Sequence, residues 1–372
     1  MSDLFVTVHT PVLESGRAVR TYGVVRALAA SGDGVTLLYV RFGAPEPDAA
    51  FRSIEGIELH GVAPSRGARR AFAYARARLG GVPEAFARGV SPELAAAADR
   101  LARRGDRVIA DGPVAAAALG GLARRRPVVY NAHNLESAFR HDLRESGLGS
   151  ARALRRFERR VLARADESWM VSEAEVAAAR ELCPAAEVRY VPNVVDVERI
   201  RPVEVAAGAQ RALFVANFDY EPNRNGLRFL LDEVLPRVWR ELPEARLSLV
   251  GAGLATPPSR DPRVEALGFV DDLDAAYASA SAAVVPLLQG GGTPLKFVEA
   301  LAYGLPVVAT SRAAAGLAVR DGEHCLLADD APAFAAALVG VLRDGAPEVG
   351  RRGRALAVER YSIEALSTLL AS

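Results

Sequence analysis

The chain has 372 residues, more than one hydrophobic core usually serves, so its length predicts about two domains. Half of the residues are hydrophobic and 24% are charged, a globular composition that excludes a largely disordered chain. The formal net charge of +1 lacks the basic excess of nucleic-acid-binding proteins, so nucleic acid is not an expected partner.

The cysteines and the apolar runs bear on the compartment. Cys183 and Cys325 lie far apart without metal-ligand spacing, which favours a reducing compartment over a disulfide framework. The first apolar run begins at Leu4 with no basic leader before it, and no later run approaches the roughly 20 apolar residues of a spanning helix. We therefore expect a cytoplasmic protein.

Short apolar runs bounded by Gly, Pro or Asp alternate with helical patterns, which is typical of doubly wound parallel sheets. The first round of runs is LFVTVHT, VTLLYV, RVIAD, PVVYNAH and ESWMVS. The second round is ALFVANF, ARLSLVG, VEALGFV, AAVVPL and LPVVATS. Helical patterns between them include Arg20 to Ala30, Pro92 to Arg104 and Asn225 to Leu242. Each round predicts one α/β domain.

A proline-containing stretch, YVPNVVDVERIRPVEVAAGAQR, separates the two rounds and reads as a linker. One long sheet is the alternative, but Pro192, Pro202 and the small residues that follow favour separate domains. We place the boundary near residue 205, with an N-terminal domain over 1–204 and a second domain over 205–350.

The segment with the most chemical content is PLLQGGGTPLKFVEALAYGLPVVAT, residues 286–310. Three consecutive glycines let a ligand approach the backbone, and the N–H groups at the following helix start favour an anion. Lys296, the single lysine of the chain, follows this loop and can neutralise a diphosphate. Glu299 lies one turn further on and can accept hydrogen bonds from ribose hydroxyls. A flexible turn with solvated charges is the alternative interpretation.

At this segment the chain resembles retaining glycosyltransferase family 4, whose members have the GT-B fold, two Rossmann-like domains facing each other across a cleft. The resemblance extends over nearly the whole chain in the expected order. It is carried by WMVSEAEVAAA, by VRYVPNVVDVERI with Pro192, Asn193 and Asp196, by LFVANFDYEPNRNGLRFL, by RLSLVGAG and by GFVDDLDAAYASASAAVVPL.

The resemblance implies transfer of a sugar from a nucleotide-diphosphate donor to an acceptor hydroxyl, with retention of configuration and without a metal or other cofactor. It implies that Lys296 is catalytic, stabilising the departing diphosphate, and that residues 351–372 form helices packing back on the N-terminal domain. The donor-binding residues expected in the second domain are Asn217, Arg224, Phe269, Val270, Gly290, Gly291, Gly292, Thr293, Leu295, Lys296 and Glu299.

Two positions depart from the family pattern. Many members have two glutamates separated by seven residues, and here Glu299 is the second while Gly291 occupies the first position. This puts the usual contact to the donor sugar in doubt. Basic residues commonly hold the diphosphate near Asn223 to Asn225, where either Arg224 substitutes or Lys296 carries that role alone.

In the first domain the candidate catalytic residue is His133, in VVYNAHNLESAF directly after a strand. A side chain at the carboxyl end of a parallel strand opens into the ligand crevice, whereas a lone histidine is more often structural. The family places a histidine near this point, facing the donor sugar. The flanking Asn134 and Glu136 are assigned to the acceptor side.

The loop TPVLESGRAVRTYG resembles the glycine-containing loop of the family beneath the donor phosphates. Gly16 and Arg17 are predicted to bind the donor, and Arg20 is predicted on the acceptor side. Surface solvation of these arginines is the alternative.

The acidic string Asp271, Asp272 and Asp274 follows GFV, a position where acidic residues cap a helix without any metal. We therefore predict no metal site. The arginine-rich stretches 66–78 and 152–164 are read as solvated faces, with peripheral contact to the inner membrane surface as the alternative.

Two other functions stay open: a sugar-nucleotide epimerase of the same architecture, and a donor-binding protein without catalysis. An epimerase needs more acid and base groups than the single convincing histidine. The nucleotide and sugar of the donor are not identified by the sequence, and the acceptor is a saccharide, a glycolipid or a small natural product.

Overall fold

A computed structural model describes residues 2–13, 15–32, 34–42, 46–103, 105–139, 150–204, 209–255, 257–270, 272–290 and 293–371. The chain divides into two compact units: unit 1 comprises Met1–Asn193 and Leu366–Ser372, and unit 2 comprises Val194–Ala365. This division falls inside the proline-containing stretch that the sequence analysis reads as a linker.

Unit 1 is built on a sheet of seven parallel strands in the order β3-β2-β1-β4-β5-β6-β7. The strands are β1 (Asp3–Val6), β2 (Val35–Val40), β3 (Ile57–Val62), β4 (Arg107–Asp111), β5 (Val128–Asn131), β6 (Glu167–Met170) and β7 (Val188–Tyr190). All four residues of β1 and of β5 are buried, as expected for strands covered on both faces.

The helices of unit 1 connect these strands. They are α1 (Gly16–Ala30), α2 (Ala49–Arg52), α3 (Gly67–Leu79), α4 (Glu84–Ala87), α5 (Pro92–Leu101), α6 (Gly112–Leu119), a 3₁₀ turn (Leu122–Arg124), α7 (Glu136–Phe139), α8 (Ala151–Leu162) and α9 (Glu173–Leu182). Several begin at a side-chain cap, as where the Ser15 hydroxyl accepts from the Ala18 N–H before α1.

Unit 2 contains six parallel strands in the order β10-β9-β8-β11-β12-β13. They are β8 (Arg211–Val215), β9 (Arg246–Val250), β10 (Val264–Gly268), β11 (Ala282–Val285), β12 (Val307–Ala309) and β13 (Leu326–Leu327). The core on one side of the sheet includes edge-to-face aromatic pairs, such as Phe229 with Phe334 at 5.8 Å between ring centroids.

The helices of unit 2 begin with α10 (Glu221–Phe229), which continues through a π-helical turn (Leu230–Val234) into α11 (Leu235–Glu241). The others are α12 (Leu273–Ala278), α13 (Leu295–Tyr303), α14 (Ser311–Ala314), α15 (Ala331–Asp344) and α16 (Pro347–Tyr361). The final helix, α17 (Ile363–Ala371), begins in unit 2 and ends in unit 1. Within the ranges given above, no helix combines the length and apolarity required to cross a bilayer.

Both sheets have the strand order of doubly wound α/β domains, which confirms the predicted fold class. The strand order reverses between β1 and β4 in unit 1 and between β8 and β11 in unit 2. Ligands of such sheets bind beyond the carboxyl ends of the strands at these reversals. We therefore expect ligand-binding residues in the loops after β1, β4 and β5 and in the loops after β8 and β11.

Candidate functional site

In unit 1, the site centres on a buried carboxylate at the end of β4. Asp111 Oδ1 lies 2.9 Å from His133 Nε2 and accepts a hydrogen bond from Asn131 Nδ2 at 2.8 Å. Its Oδ2 accepts from the Thr21 hydroxyl at 2.7 Å. Burial alone would raise the pKa of Asp111, but His133 and the hydrogen bonds outweigh it and hold that pKa below its ordinary value.

Arg20 is buried within α1, and its guanidinium is engaged inside unit 1. Nη2 donates to Asn131 Oδ1 at 2.6 Å, so Asn131 links the guanidinium to Asp111. Nη1 donates to the carbonyl of Val191 at 3.0 Å and to Asn193 Oδ1 at 3.1 Å. Burial lowers the pKa of Arg20 to about 10, which leaves it charged at neutral pH. These contacts give Arg20 a part in holding the residues around His133.

The other predicted residues of unit 1 lie at the surface of the same sheet edge. Gly16 and Arg17 open α1 and are exposed. Asn134 follows β5 and is half-buried, and Glu136 is the first residue of α7.

Two buried glutamates hold the backbone that follows His133. Glu158 accepts from the Ser137 N–H at 3.2 Å, and Glu175 accepts from the N–H groups of Leu135 and Val171 at 3.4 Å. Burial raises the pKa of both carboxyls to about 7. They fix the chain between β5 and α7 and are sensitive to pH near neutrality.

In unit 2, glycines bring the loops after β8, β9 and β11 close together. At Gly251, which has φ +132°, an added Cβ would lie 1.9 Å from the carbonyl oxygen of Ala216. At Gly226 in α10, a Cβ would lie 2.6 Å from the carbonyl oxygen of Pro286. Only glycine permits these backbone approaches at the reversal point of the second sheet.

Lys296 lies at this reversal point in the first turn of α13. Its Nζ donates to Asn223 Oδ1 at 2.5 Å and sits 5.2 Å from the centroid of the Phe214 ring. Asn223 is held in turn by the carbonyl of Asn217, which its Nδ2 reaches at 2.6 Å. Burial lowers the pKa of Lys296 to about 7. An anion beside Nζ would favour the charged ammonium.

Glu299 lies on the same helix as Lys296 and contacts a tyrosine. The Tyr277 hydroxyl donates to Glu299 Oε2 at 3.2 Å, and the Tyr277 ring stacks on Tyr303 with centroids 3.9 Å apart. Burial raises the pKa of Glu299 to about 7. Tyr303 itself donates to Asp274 Oδ1 at 2.5 Å, so the glutamate belongs to a network between α12 and α13.

Two of the remaining predicted donor residues are held by the loop after β8. Arg224 Nη1 donates to the carbonyls of Phe218 at 3.3 Å and Asp219 at 2.5 Å. Asn217 Oδ1 accepts from the Asp219 N–H at 2.9 Å. The other predicted positions differ in exposure. Phe269 is 70% exposed and Val270 is half-buried after β10, and Thr293 is buried. Gly290 has φ +118°, and Leu295 is the first residue of α13. Gly291 and Gly292 lie outside the described residues.

The acidic residues after β10 include the N-terminal cap of α12. Asp272 Oδ1 accepts from the Ala275 N–H at 2.9 Å at the start of α12, as predicted. Asp271 lies outside the described residues. Across the ranges that the structure describes, no group of three or more His, Cys, Asp and Glu side chains is arranged to hold a metal ion.

Three residues of these sites were missed by the sequence analysis as site residues: Asp111, Asn223 and Tyr277. Asp111 had a signal, because it ends the strand run RVIAD and is followed by a glycine. Asn223 lies in the first turn of α10, in a segment that the sequence analysis considered for its arginine. Tyr277 had no signal, because its role depends on the packing of α12 against α13.

Comparisons with known proteins agree with this architecture. Residues 15–194 match the family model described as "Glycosyl transferase 4-like domain", and residues 209–344 match the model "Glycosyl transferases group 1". The chain is 36% identical over 167 residues to the "Phosphatidyl-myo-inositol mannosyltransferase" of Mycobacterium leprae, a match covering 41% of this chain and 44% of that protein. The matched segment thus spans less than half the length of this relative.

Solved structures resemble the whole chain. Sucrose-phosphate synthase from Thermosynechococcus elongatus has a TM-score of 0.73 at 19% identity, over 100% of this chain and 97% of that one. Anabaena HepE in complex with UDP and glucose has a TM-score of 0.69 at 16% identity, over 100% and 98% of the two chains. At these identities the likeness concerns the fold.

Proposed function

The chain belongs to the GT-B glycosyltransferases that combine a glycosyl transferase 4-like domain with a glycosyl transferases group 1 domain, and from this membership we propose its reaction. It transfers a sugar from a nucleotide-diphosphate donor to an acceptor hydroxyl, with retention of configuration and without a bound metal. The observation that carries the proposal is the half-buried Lys296 amine at the reversal point of the unit 2 sheet, aligned by Asn223.

The proposal assigns the donor to unit 2. Lys296 and the start of α13 neutralise the negative charge that develops on the departing diphosphate, the largest charge change of the reaction. Glu299 accepts hydrogen bonds from the ribose hydroxyls, and its alignment comes from Tyr277. Phe269 and Val270 follow β10 and take the base. Lys296 replaces a metal as the source of positive charge.

The proposal assigns His133 and acceptor recognition to unit 1. His133 positions the transferred sugar, and Asn134 and Glu136 offer polar groups to the acceptor at the same sheet edge, where Gly16 and Arg17 remain proposed donor contacts. Retention follows from attack by the acceptor hydroxyl on the face that the diphosphate leaves, so no covalent sugar–enzyme intermediate is needed.

A panel of nucleotide sugars tests the proposal. The HepE neighbour was solved with UDP, and the relative from M. leprae is named a mannosyltransferase, so the panel contains UDP-, GDP-, ADP- and dTDP-sugars. We expect slow release of one nucleotide with EDTA present, and a loss of about 10²-fold or more in Lys296→Ala. No release from any donor, together with no shift of the melting temperature by any of them, would reject the donor site.

The acceptor is a saccharide, a glycolipid or a small natural product, and we propose that the protein acts at the inner membrane surface. Support comes from α3, which exposes Phe72 (69%) and Leu79 (91%) beside Arg76 and Arg78. Such a helix suits an anionic lipid surface. Faster turnover on phosphatidylglycerol vesicles than on neutral vesicles supports this placement, and equal turnover contradicts it.

A further inference from the structure

The hydrogen-bond capacity of the Asp111 carboxylate fixes the proton on His133. Asp111 is ionised at neutral pH and then offers only acceptors, so a ring nitrogen bonded to it must carry a hydrogen. That nitrogen is His133 Nε2, 2.9 Å from Oδ1. In the neutral imidazole the hydrogen is then on Nε2, and Nδ1 has a lone pair.

The surroundings keep this arrangement rigid. The carboxylate has 1% of its side-chain surface exposed and is bonded also by Asn131 and Thr21, so it cannot turn away. Gly112, with φ +79°, lies against the ring, and a Cβ there would come within 2.7 Å of Cε1 and 2.9 Å of Nδ1. Glycine at 112 therefore leaves the Nδ1 edge of the imidazole clear.

The outward edge of the ring is left for a ligand. Within the described ranges, His133 Nδ1 has no hydrogen-bond partner, and 14% of the side chain is exposed. A lone pair at this position accepts a hydrogen bond from a hydroxyl, the group that sugars present on every face. It would not accept one if the ring hydrogen were on Nδ1.

We propose that Asp111 is a positioning residue that fixes His133 in the Nε2–H form, so that Nδ1 accepts a hydrogen bond from a hydroxyl of the bound sugar. The proposal rests on the proposed function for its sugar, while the fixed tautomer is a property of unit 1 by itself. Arg20 extends the network, because its guanidinium holds Asn131 against Asp111.

The test uses Asp111→Leu, which keeps about the size of the side chain but offers His133 Nε2 no acceptor, so neither tautomer is fixed. Asp111→Asn is unsuited, because Asn131 Nδ2 donates to the same oxygen as His133 and would keep a carbonyl oxygen there. Long-range ¹H–¹⁵N spectra of the whole protein labelled at histidine distinguish the two tautomers, and His133→Gln assigns the resonance among the five histidines. We expect Nε2–H in the wild type and exchange between both tautomers in Asp111→Leu. Loss of the correct tautomer of the catalytic histidine in serine proteases lowers kcat about 10⁴-fold, and we expect a loss of at least ~10²-fold here.

Thr21→Val is the matched control, because it removes one hydrogen bond to Asp111 without offering a donor to His133. Its spectrum should keep the Nε2–H form. Overturning results are an Nδ1–H form in the wild type, a single unchanged Nε2–H form in a folded Asp111→Leu, or exchange between tautomers in that variant without loss of turnover. If the wild type itself releases no nucleotide from any donor, the proposed function fails, and the spectra still decide whether Asp111 fixes His133.

Discussion

Lys296 and Glu299 titrate in the same pH range, near neutrality. Burial brings the pKa of the lysine down to about 7 and that of the glutamate up to about 7. The proposed donor binding requires Lys296 to be charged, which holds at a pH below the pKa of Lys296. It also requires Glu299 to accept hydrogen bonds, which an ionised carboxylate does best, at a pH above the pKa of Glu299. The profile of kcat/KM against pH reports groups of the free enzyme, so it should be a narrow bell centred near neutrality.

The first prediction concerns the alkaline side of that bell. In Lys296→Arg the guanidinium stays charged, so kcat/KM for the donor should no longer fall as pH rises above about 7. Steady-state nucleotide release across pH 5.5 to roughly 9 measures it. Glu299→Gln is the matched variant and should affect only the acid side. An alkaline limb that persists unchanged in Lys296→Arg would assign it to another group.

The sequence predicts Lys296 as a site residue, but not Asp111. Lys296 is marked by its position after a glycine loop and by being the single lysine. Its partner Asn223 lies many residues away, and Asp111 and His133 belong to neighbouring strands β4 and β5, so their pairing exists only after the sheet is assembled. Residue type and spacing predict which groups are near a ligand, and the fold determines which of them touch.

Among the elements, α16 packs against α13 through glycines. At Gly350 a Cβ would lie 2.2 Å from the carbonyl oxygen of Gly304, and at Gly353 it would lie 2.7 Å from Leu301 Cδ2. The backbone of α16 thus rests directly on the helix that holds Lys296 and on the turn after it.

The second prediction contrasts two helix glycines that receive the same change. Gly350→Ala must push α16 away from α13 and should lower the free energy of unfolding by about 1–3 kcal/mol. Gly340→Ala, in α15 with nothing within 4 Å of the added Cβ, should raise it by about 0.5–1 kcal/mol. Urea midpoints at constant slope measure both, and equal effects of the two changes would contradict this packing.

The strands show what a sequence pattern can and cannot locate. Every apolar run taken as a strand is one, from β1 to β12. Most of them are buried parallel strands, which read as continuous apolar segments, and β10 is the half-exposed edge strand among them. The three missed strands, β3, β7 and β13, all lie at edges of the two sheets. Edge strands are short or half-exposed, and β3 is interrupted by His60 and Gly61, so they lack that pattern.

For the whole molecule, three carboxyls with raised pKa values make stability fall as pH rises: the buried Glu158 and Glu175 in unit 1 and the half-buried Glu299 in unit 2. Each has a pKa of about 7 when folded, above the ordinary value of about 4.3 expected when unfolded. Between about pH 4.3 and about pH 7, the folded state therefore binds more protons than the unfolded state. This stabilisation is complete below about pH 4.3 and is lost as pH rises through about 7.

The third prediction is that the wild type melts at a lower temperature at pH 8 than at pH 5.5 or so, and that Glu175→Gln reduces the difference. The full pKa shift, from about 4.3 to about 7, corresponds to about 4 kcal/mol for one fully buried carboxyl as an upper bound, of which about 2 kcal/mol is lost between pH 5.5 and 8. Differential scanning calorimetry measures it. Glu173→Gln on the same helix is exposed and serves as the control. If the melting temperature of Glu175→Gln depends on pH as strongly as that of the wild type, Glu175 does not contribute to the pH dependence of stability.

The chain contains forty-six basic residues of the Lys and Arg type, and only Lys296 among them carries a primary amine. A pKa near 7 leaves much of that amine unprotonated at neutral pH, so acylating or aldehyde reagents have one lysine side chain to modify, and it lies at the proposed donor site. A lysine-specific protease likewise has one peptide bond to cut, the one between Lys296 and Phe297. Modification of the Lys296 amine, measured on the peptide that contains it and so apart from the α-amino group, and its protection by a nucleotide sugar can therefore report occupancy of the proposed donor site, without knowledge of the acceptor and without any engineered label.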